Sequence, residues 1–155
     1  MIYDNDEGEY GKYFVQTLQE PDTISPEFRE IYKKFASRVL WMDDKVVPGA
    51  FQMNTAWYKD VQPRDPLFEA HVHDYDELIG FYGSDPDNPN DLNGVVELTV
   101  NGEAHRLTKT TLIFVPGGME HNPLRILEVD KPIFHFSVVM NPEYTGETTY
   151  YTDKK

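Results

Sequence analysis

Three histidines and one glutamate fall at spacings that suit a shared cation. In the extended segment His71-Val72-His73 successive side chains alternate faces, so His71 and His73 project from the same side. Glu77 can return to the same point if the chain bends, and Asp74, Tyr75 and Asp76 between them tolerate a turn. A fourth donor, His121, follows a Pro116-Gly117-Gly118 corner where a strand can end and the chain turn inward. The chain has five histidines, and three of them occupy these positions. The expectation is a three-histidine, one-carboxylate metal site. Nitrogen and oxygen ligands of this kind admit Fe, Mn, Ni or Zn as one divalent ion per chain.

Further residues bear on what such a centre would act upon. His135 lies in Ile133-Phe134-His135-Phe136-Ser137, where alternation puts Ile133, His135 and Ser137 on one face and Phe134, Phe136 and Val138 on the other. Facing inward, His135 would orient a substrate or carry a proton; otherwise it is a hydrogen-bonded structural histidine. Tyr82 joins it as a candidate catalytic residue. Trp57, Phe81 and Phe114 are candidate substrate-binding residues, because aromatics at a barrel mouth would form an apolar pocket around the ion. Most strand aromatics are core by default. Arg125 is a candidate partner for a substrate carboxylate, with a surface salt bridge as the commoner fate of such a residue. Asp74 and Asp76 either fix a ligand tautomer or are solvated turn residues.

Composition bounds the rest. At 155 residues one domain is expected. A formal net charge of −13 argues against a nucleic-acid partner and disfavours anionic membrane surfaces. With no cysteine, thiolate sites, disulfides and thiol nucleophiles are excluded. The acidic start Met1-Ile2-Tyr3-Asp4-Asn5-Asp6-Glu7 is unlike a signal peptide, and no apolar run reaches spanning length, so a cytoplasmic location is expected.

The elements that must position these residues read as one helix followed by strands. Ser25-Pro26-Glu27 is a helix start, with Ser25 as N-cap and Pro26 preset at the first helical position. Phe28, Ile31, Tyr32 and Phe35 form an apolar stripe for packing on the main domain. From residue 38 the pattern changes to short strand-like runs at 38–42, 50–58, 70–73, 77–82, 95–100, 103–107, 111–115, 124–128 and 133–140. Many short strands with turn signals between them indicate an all-β sandwich or barrel. Asn101-Gly102 is the strongest hairpin signal. Residues 83–94 read as a solvated loop on composition, and the spacing of Asp85, Asp87 and Asp91 does not follow a calcium-loop pattern.

The motifs together resemble those of a small single-domain cupin. His71, His73, Glu77 and Gly83 are similar to the first cupin motif, and Pro116, Gly118 and His121 to the second. The second motif usually begins with Gly-Asp, where this chain has Lys109-Thr110. It often carries an asparagine four residues after the histidine, where this chain has Arg125; Asn122 is placed to compensate. The resemblance implies a double-sheet jelly-roll barrel over 45–140. An arm, helix and first strand would precede it over 1–44, with the helix packed outside, and a polar tail would follow over 141–155. It also implies a homodimer, the metal at His71, His73, Glu77 and His121, and a small-molecule substrate or ligand. The activities it implies are those of a dioxygenase, isomerase or decarboxylase, with a non-catalytic binding or sensor cupin as the alternative.

Overall fold

The computed structural model describes residues 1–4 and 7–140 of the chain; the polar tail expected over 141–155 lies outside the described residues. The helix forms as its signals require. In α1 (Pro26–Lys33) the Ser25 hydroxyl accepts the Phe28 N–H at 3.1 Å, and Pro26 occupies the first turn, where its missing N–H leaves no donor wanting. Phe28 and Tyr32 are buried, and Lys33 stands in the last turn, favourable to the helix dipole.

Eight strands follow: β1 (Ala36–Met42), β2 (Gln52–Tyr58), β3 (Glu77–Gly83), β4 (Asp91–Val100), β5 (Glu103–Lys109), β6 (Thr111–Val115), β7 (His121–Val129) and β8 (Ile133–Val139). They form two antiparallel sheets, one ordered β1-β2-β8-β3-β6 and the other β5-β4-β7, which makes the chain an all-β jelly-roll barrel with an external helix. Asn101 and Gly102 both have positive φ, 50° and 82°, and turn β4 into β5 with Val100 opposite Glu103.

Two segments differ from the pattern read in the sequence. The run at 70–73 forms no strand; His71 pairs alone with His121 in an isolated bridge. The loop after β3 is also shorter than 83–94, because β4 begins at Asp91. Polar Asp91 and Asn93 flank buried Leu92, so a single inward apolar residue holds the start of that strand.

Register explains what fills the barrel. Across the five-stranded sheet Arg38 pairs with Ala56, Ala56 with His135 and His135 with Phe81, so these four share one inward row. Gln52, Asn54, Ala56 and Tyr58 are buried along β2, as are Glu77, Ile79 and Phe81 along β3. Leu98, Leu124 and Ile126 face them from the other sheet. The helix closes the aromatic side of this core. Phe35 stacks on Tyr58 at 5.9 Å, and Phe28 meets Phe68 edge-on at 6.1 Å. No helix among the described residues is long and apolar enough to cross a membrane.

Candidate metal centre

His71 and His121 are brought together by their own backbones. Each donates its N–H to the other's carbonyl, at 3.0 and 3.1 Å, in a hydrogen-bonded antiparallel pair. Directly opposed residues in such a pair present side chains on the same face, and the two imidazole centroids lie 4.3 Å apart. His73 is fixed by the corner that precedes His121: the Gly118 N–H donates to the His73 carbonyl at 2.8 Å, and Gly117 N–H to the Asp76 carboxylate at 2.8 Å. Asp76 therefore ties the two ligand-bearing loops together. Gly117 is required by contact, since a Cβ there would sit 2.2 Å from the Asp74 carbonyl oxygen. Gly118 is required by conformation, with φ of +84°. After the bend at Asp74 and Tyr75, Glu77 opens β3 with its side chain inward.

The result is one cluster. Each of His71, His73, Glu77 and His121 offers a ligand atom, these atoms all lie within 4.8 Å of one another, and all four residues are buried. Donors about 2.0–2.2 Å from a common ion stand at most ~4.4 Å apart, so small adjustments close the set around a metal. Tautomer geometry supports the fit. The Nδ1 of His71 lies 3.2 Å from the Glu69 carbonyl, that of His73 2.8 Å from Tyr75 and that of His121 3.3 Å from Met119. An Nδ1 proton donated to a carbonyl leaves the Nε2 lone pair for a cation. The Nε2 atoms of His73 and His121 approach Glu77 Oε1 at 2.8 and 3.1 Å. Positive charge must stand between such atoms, as protons or as a metal ion.

Electrostatics point the same way. Burial opposes ionisation of Glu77, but hydrogen bonds from His121 and His73 outweigh it and hold the carboxyl down at about 2. Burial, reinforced by neighbouring His121, pushes His71 down to about 4. For His73 burial acts in the same direction, but the hydrogen bond and charge of Glu77 overcome it and raise the value. The centre is thus built to keep a carboxylate ionised beside imidazoles.

Glu77 also borders an interior cavity of about 30 Å³, walled by Phe28, Tyr32, Phe68, Ile79, Phe81, Leu98 and Leu124, with Arg38, Asn54, Asn122, His135 and Ser137 among its polar residues. His135 therefore looks inward. It is stacked between Tyr58 at 5.2 Å and Phe81 at 4.9 Å, with Nδ1 3.1 Å from the Gly80 carbonyl, and burial pushes it down to about 4. Phe81 is fully buried beside it.

The structure does not bring the other sequence candidates to this cavity. Trp57, on the opposite face of β2 from Asn54 and Ala56, packs on Phe134 at 5.1 Å. Tyr82 and Phe114 alternate outward from Phe81 and Val115 and are exposed. Arg125 forms ion pairs with Asp65 at 2.8 Å and Glu97 at 3.2 Å, the surface salt bridge rather than a cavity contact. Conversely, Arg38, Asn54, Asn122 and the helix residues Phe28 and Tyr32 line the cavity without having been singled out for it. Alternation along β1 and β2 carries a signal for Arg38 and Asn54, since both fall on the inward face. The helix residues carry none beyond their apolar stripe.

No family model matches the sequence, and no curated protein matches it. Solved structures do. The chain is similar to a recombinant oxalate oxidase in complex with glycolate, at 12% identity and a TM-score of 0.52 over 89% of this chain and 64% of that one. The chain thus spans 64% of the length of that enzyme chain. KdgF from Halomonas sp. matches at 17% identity and a TM-score of 0.40, over 71% of this chain and 79% of that one. An RmlC-like cupin from Shewanella frigidimarina matches at 13% and 0.42, over 71% and 77%. At these identities the likeness concerns the fold. With two antiparallel sheets closed around a buried three-histidine, one-glutamate cluster, the chain has the cupin fold.

Proposed function

We propose that this protein is a metal-dependent cupin enzyme acting on a small oxygenated organic molecule, by dioxygenation, isomerisation or decarboxylation. The observation that carries the reading is Glu77, which belongs at once to the four-residue cluster and to the wall of the interior cavity. A molecule in that cavity would lie against the centre, among the apolar side chains of Phe28, Phe68 and Phe81. A bound divalent ion, Fe, Mn, Ni or Zn on donor type, would supply Lewis-acid polarisation of a substrate oxygen. The chain's own residues do the rest. His73, His121 and His71 hold the donor set by their Nδ1 bonds. Neutral His135, in the cavity wall, is the residue put forward to accept or return a proton, with Phe81 as the apolar face against the substrate. Homodimer formation belongs to the same reading and is supported by the exposed apolar residues Leu78, Leu112 and Phe114 on the outer face of the five-stranded sheet.

Elemental analysis of protein purified without a histidine tag tests the centre. Near-stoichiometric transition metal is expected, lost in a His71→Ala, His121→Ala double variant; metal-free wild type would overturn it. A screen of enediols, catechols and hydroxy acids with and without oxygen tests catalysis. Binding without turnover across that screen would leave a non-catalytic binding or sensor cupin instead.

A further inference from the structure

β5 and β6 are edge strands of different sheets, joined through Thr110 and not paired with each other. Register shows which side chains meet between them. Glu103, His105 and Leu107 stand opposite Val100, Leu98 and Val96 of β4, while Thr111 and Ile113 stand opposite Phe81 and Ile79 of β3. Directly opposed residues share a face of their sheet. Val96, Leu98, Ile79 and Phe81 are buried, so Glu103, His105, Leu107, Thr111 and Ile113 are on the inward faces too. The seam holds an open cleft of about 460 Å³, within the roughly 300–1,000 Å³ common for small-molecule sites. Leu98, Val100, Leu107, Ile113 and Met119 give it an apolar floor. None of the four candidate metal ligands lines it, and Leu98 is the one residue it shares with the interior cavity beside Glu77.

The polar groups of the cleft offer acceptors. His105 Nε2 lies 2.6 Å from Glu103 Oε1, so the ring donates its Nε2–H to the carboxylate and, uncharged, keeps Nδ1 as an acceptor. The second oxygen of Glu103 is left to accept elsewhere. Thr111 donates its hydroxyl to the Lys109 carbonyl at 2.7 Å, which leaves its own oxygen an acceptor. No lysine or arginine is among the lining residues. A net charge of −13 favours the approach of a cation over that of an anion. Charges on an edge strand also discourage pairing with another chain, but that role does not account for an apolar cleft beneath them.

We infer that the cleft between β5 and β6 binds a small amine with an apolar body, its ammonium group donating to Glu103 and its hydrocarbon part lying on Leu107, Ile113 and Met119. A primary ammonium brings three donors and one positive charge, which meets the acceptors and the carboxylate together. An alcohol of the same shape brings one donor and no charge, and a carboxylate brings charge of the wrong sign. Glu103 is 77% exposed, so water screens the pair and the discrimination by charge is modest, while the apolar floor supplies most of the affinity. The site lies apart from the metal centre, and the inference does not rest on the metal-enzyme reading.

Titration of the full chain with 2-phenylethylamine, 2-phenylethanol and 3-phenylpropionate, followed by backbone amide NMR shifts, tests it. Chelator is present throughout, so that coordination of the amine to a metal plays no part. Wild type is expected to bind the amine at least about threefold more tightly than the alcohol and about tenfold more tightly than the acid, with the largest shifts in residues 103–107 and 111–113. Glu103→Gln should bring amine and alcohol to within about twofold of each other, and Leu107→Ser should weaken both at least about threefold. Alcohol or acid binding as tightly as the amine, no saturable binding of the amine, shifts confined to other strands, or an amine preference unaltered in Glu103→Gln overturns it. Urea unfolding checks that the variants are folded; if Leu107→Ser is not, Glu103→Gln and the order of the three ligands on wild type decide.

Discussion

Replacing His135 with glutamine probes whether the barrel interior keeps this histidine neutral. The side chain is 7% exposed and stacked between Tyr58 and Phe81, and its value falls from the ordinary 6.5 to about 4 because burial disfavours the imidazolium. Between those values the unfolded chain binds a proton that the folded chain refuses. Stability is therefore full above pH 6.5 and is lost as pH falls towards 4. At ~1.36 kcal/mol per pH unit the loss at pH 4 amounts to about 3 kcal/mol. Glutamine does not titrate and keeps an amide donor within reach of the Gly80 carbonyl that His135 Nδ1 contacts. Urea unfolding of both proteins, in the same chelator and from about pH 7.5 down to 4, measures the difference in free energy. That difference should shrink by about 3 kcal/mol over the range. The other titrating groups, His71 among them, are common to both proteins and cancel. A difference constant to within about 0.5 kcal/mol would refute the reasoning, because it would mean that His135 takes up its proton as readily folded as unfolded.

Two further predictions concern the loops and the helix. Gly117→Ala puts a Cβ 2.2 Å from the Asp74 carbonyl and must displace the loop carrying His73; a loss of ~1–3 kcal/mol is expected, with metal affinity at least tenfold weaker by competition with a chelator. Gly118→Ala, with nothing within 4 Å but φ of +84°, should cost only about 1 kcal/mol. Ser25→Ala removes the acceptor for the Phe28 N–H and should destabilise the protein by about 1 kcal/mol in the same unfolding assay, leaving metal content unchanged.

Periodicity and local chemistry made much of this protein legible in the sequence. The Ser25-Pro26 start, the Asn101-Gly102 turn and the alternation along β3 and β8 act over a few residues, and the elements they specify formed. The clustering of His71, His73, Glu77 and His121 was legible too, because they are unusual donor types at characteristic spacings, and the fold collects them. Alternation could say that Phe81 and Tyr82 lie on opposite faces, but not which face was inside. That choice belongs to the pairing of β3 with β8 and β6 and to the opposing sheet.

The cavity residues show the division best. Arg38 and Asn122 are separated by most of the barrel sequence, and nothing local to either places them together. They share a cavity because β1 reaches the interior through β2, while Asn122 enters from the opposing sheet on β7. Tertiary structure likewise turned Trp57, Tyr82 and Phe114 outward and gave Arg125 to Asp65 and Glu97. The sequence by itself determined most of the strands, the Asn101-Gly102 turn and the donor types, since these depend on backbone preference and side-chain chemistry within a short stretch. Only tertiary structure decided what surrounds the donors, because the walls of a barrel are set by register between strands distant in the chain.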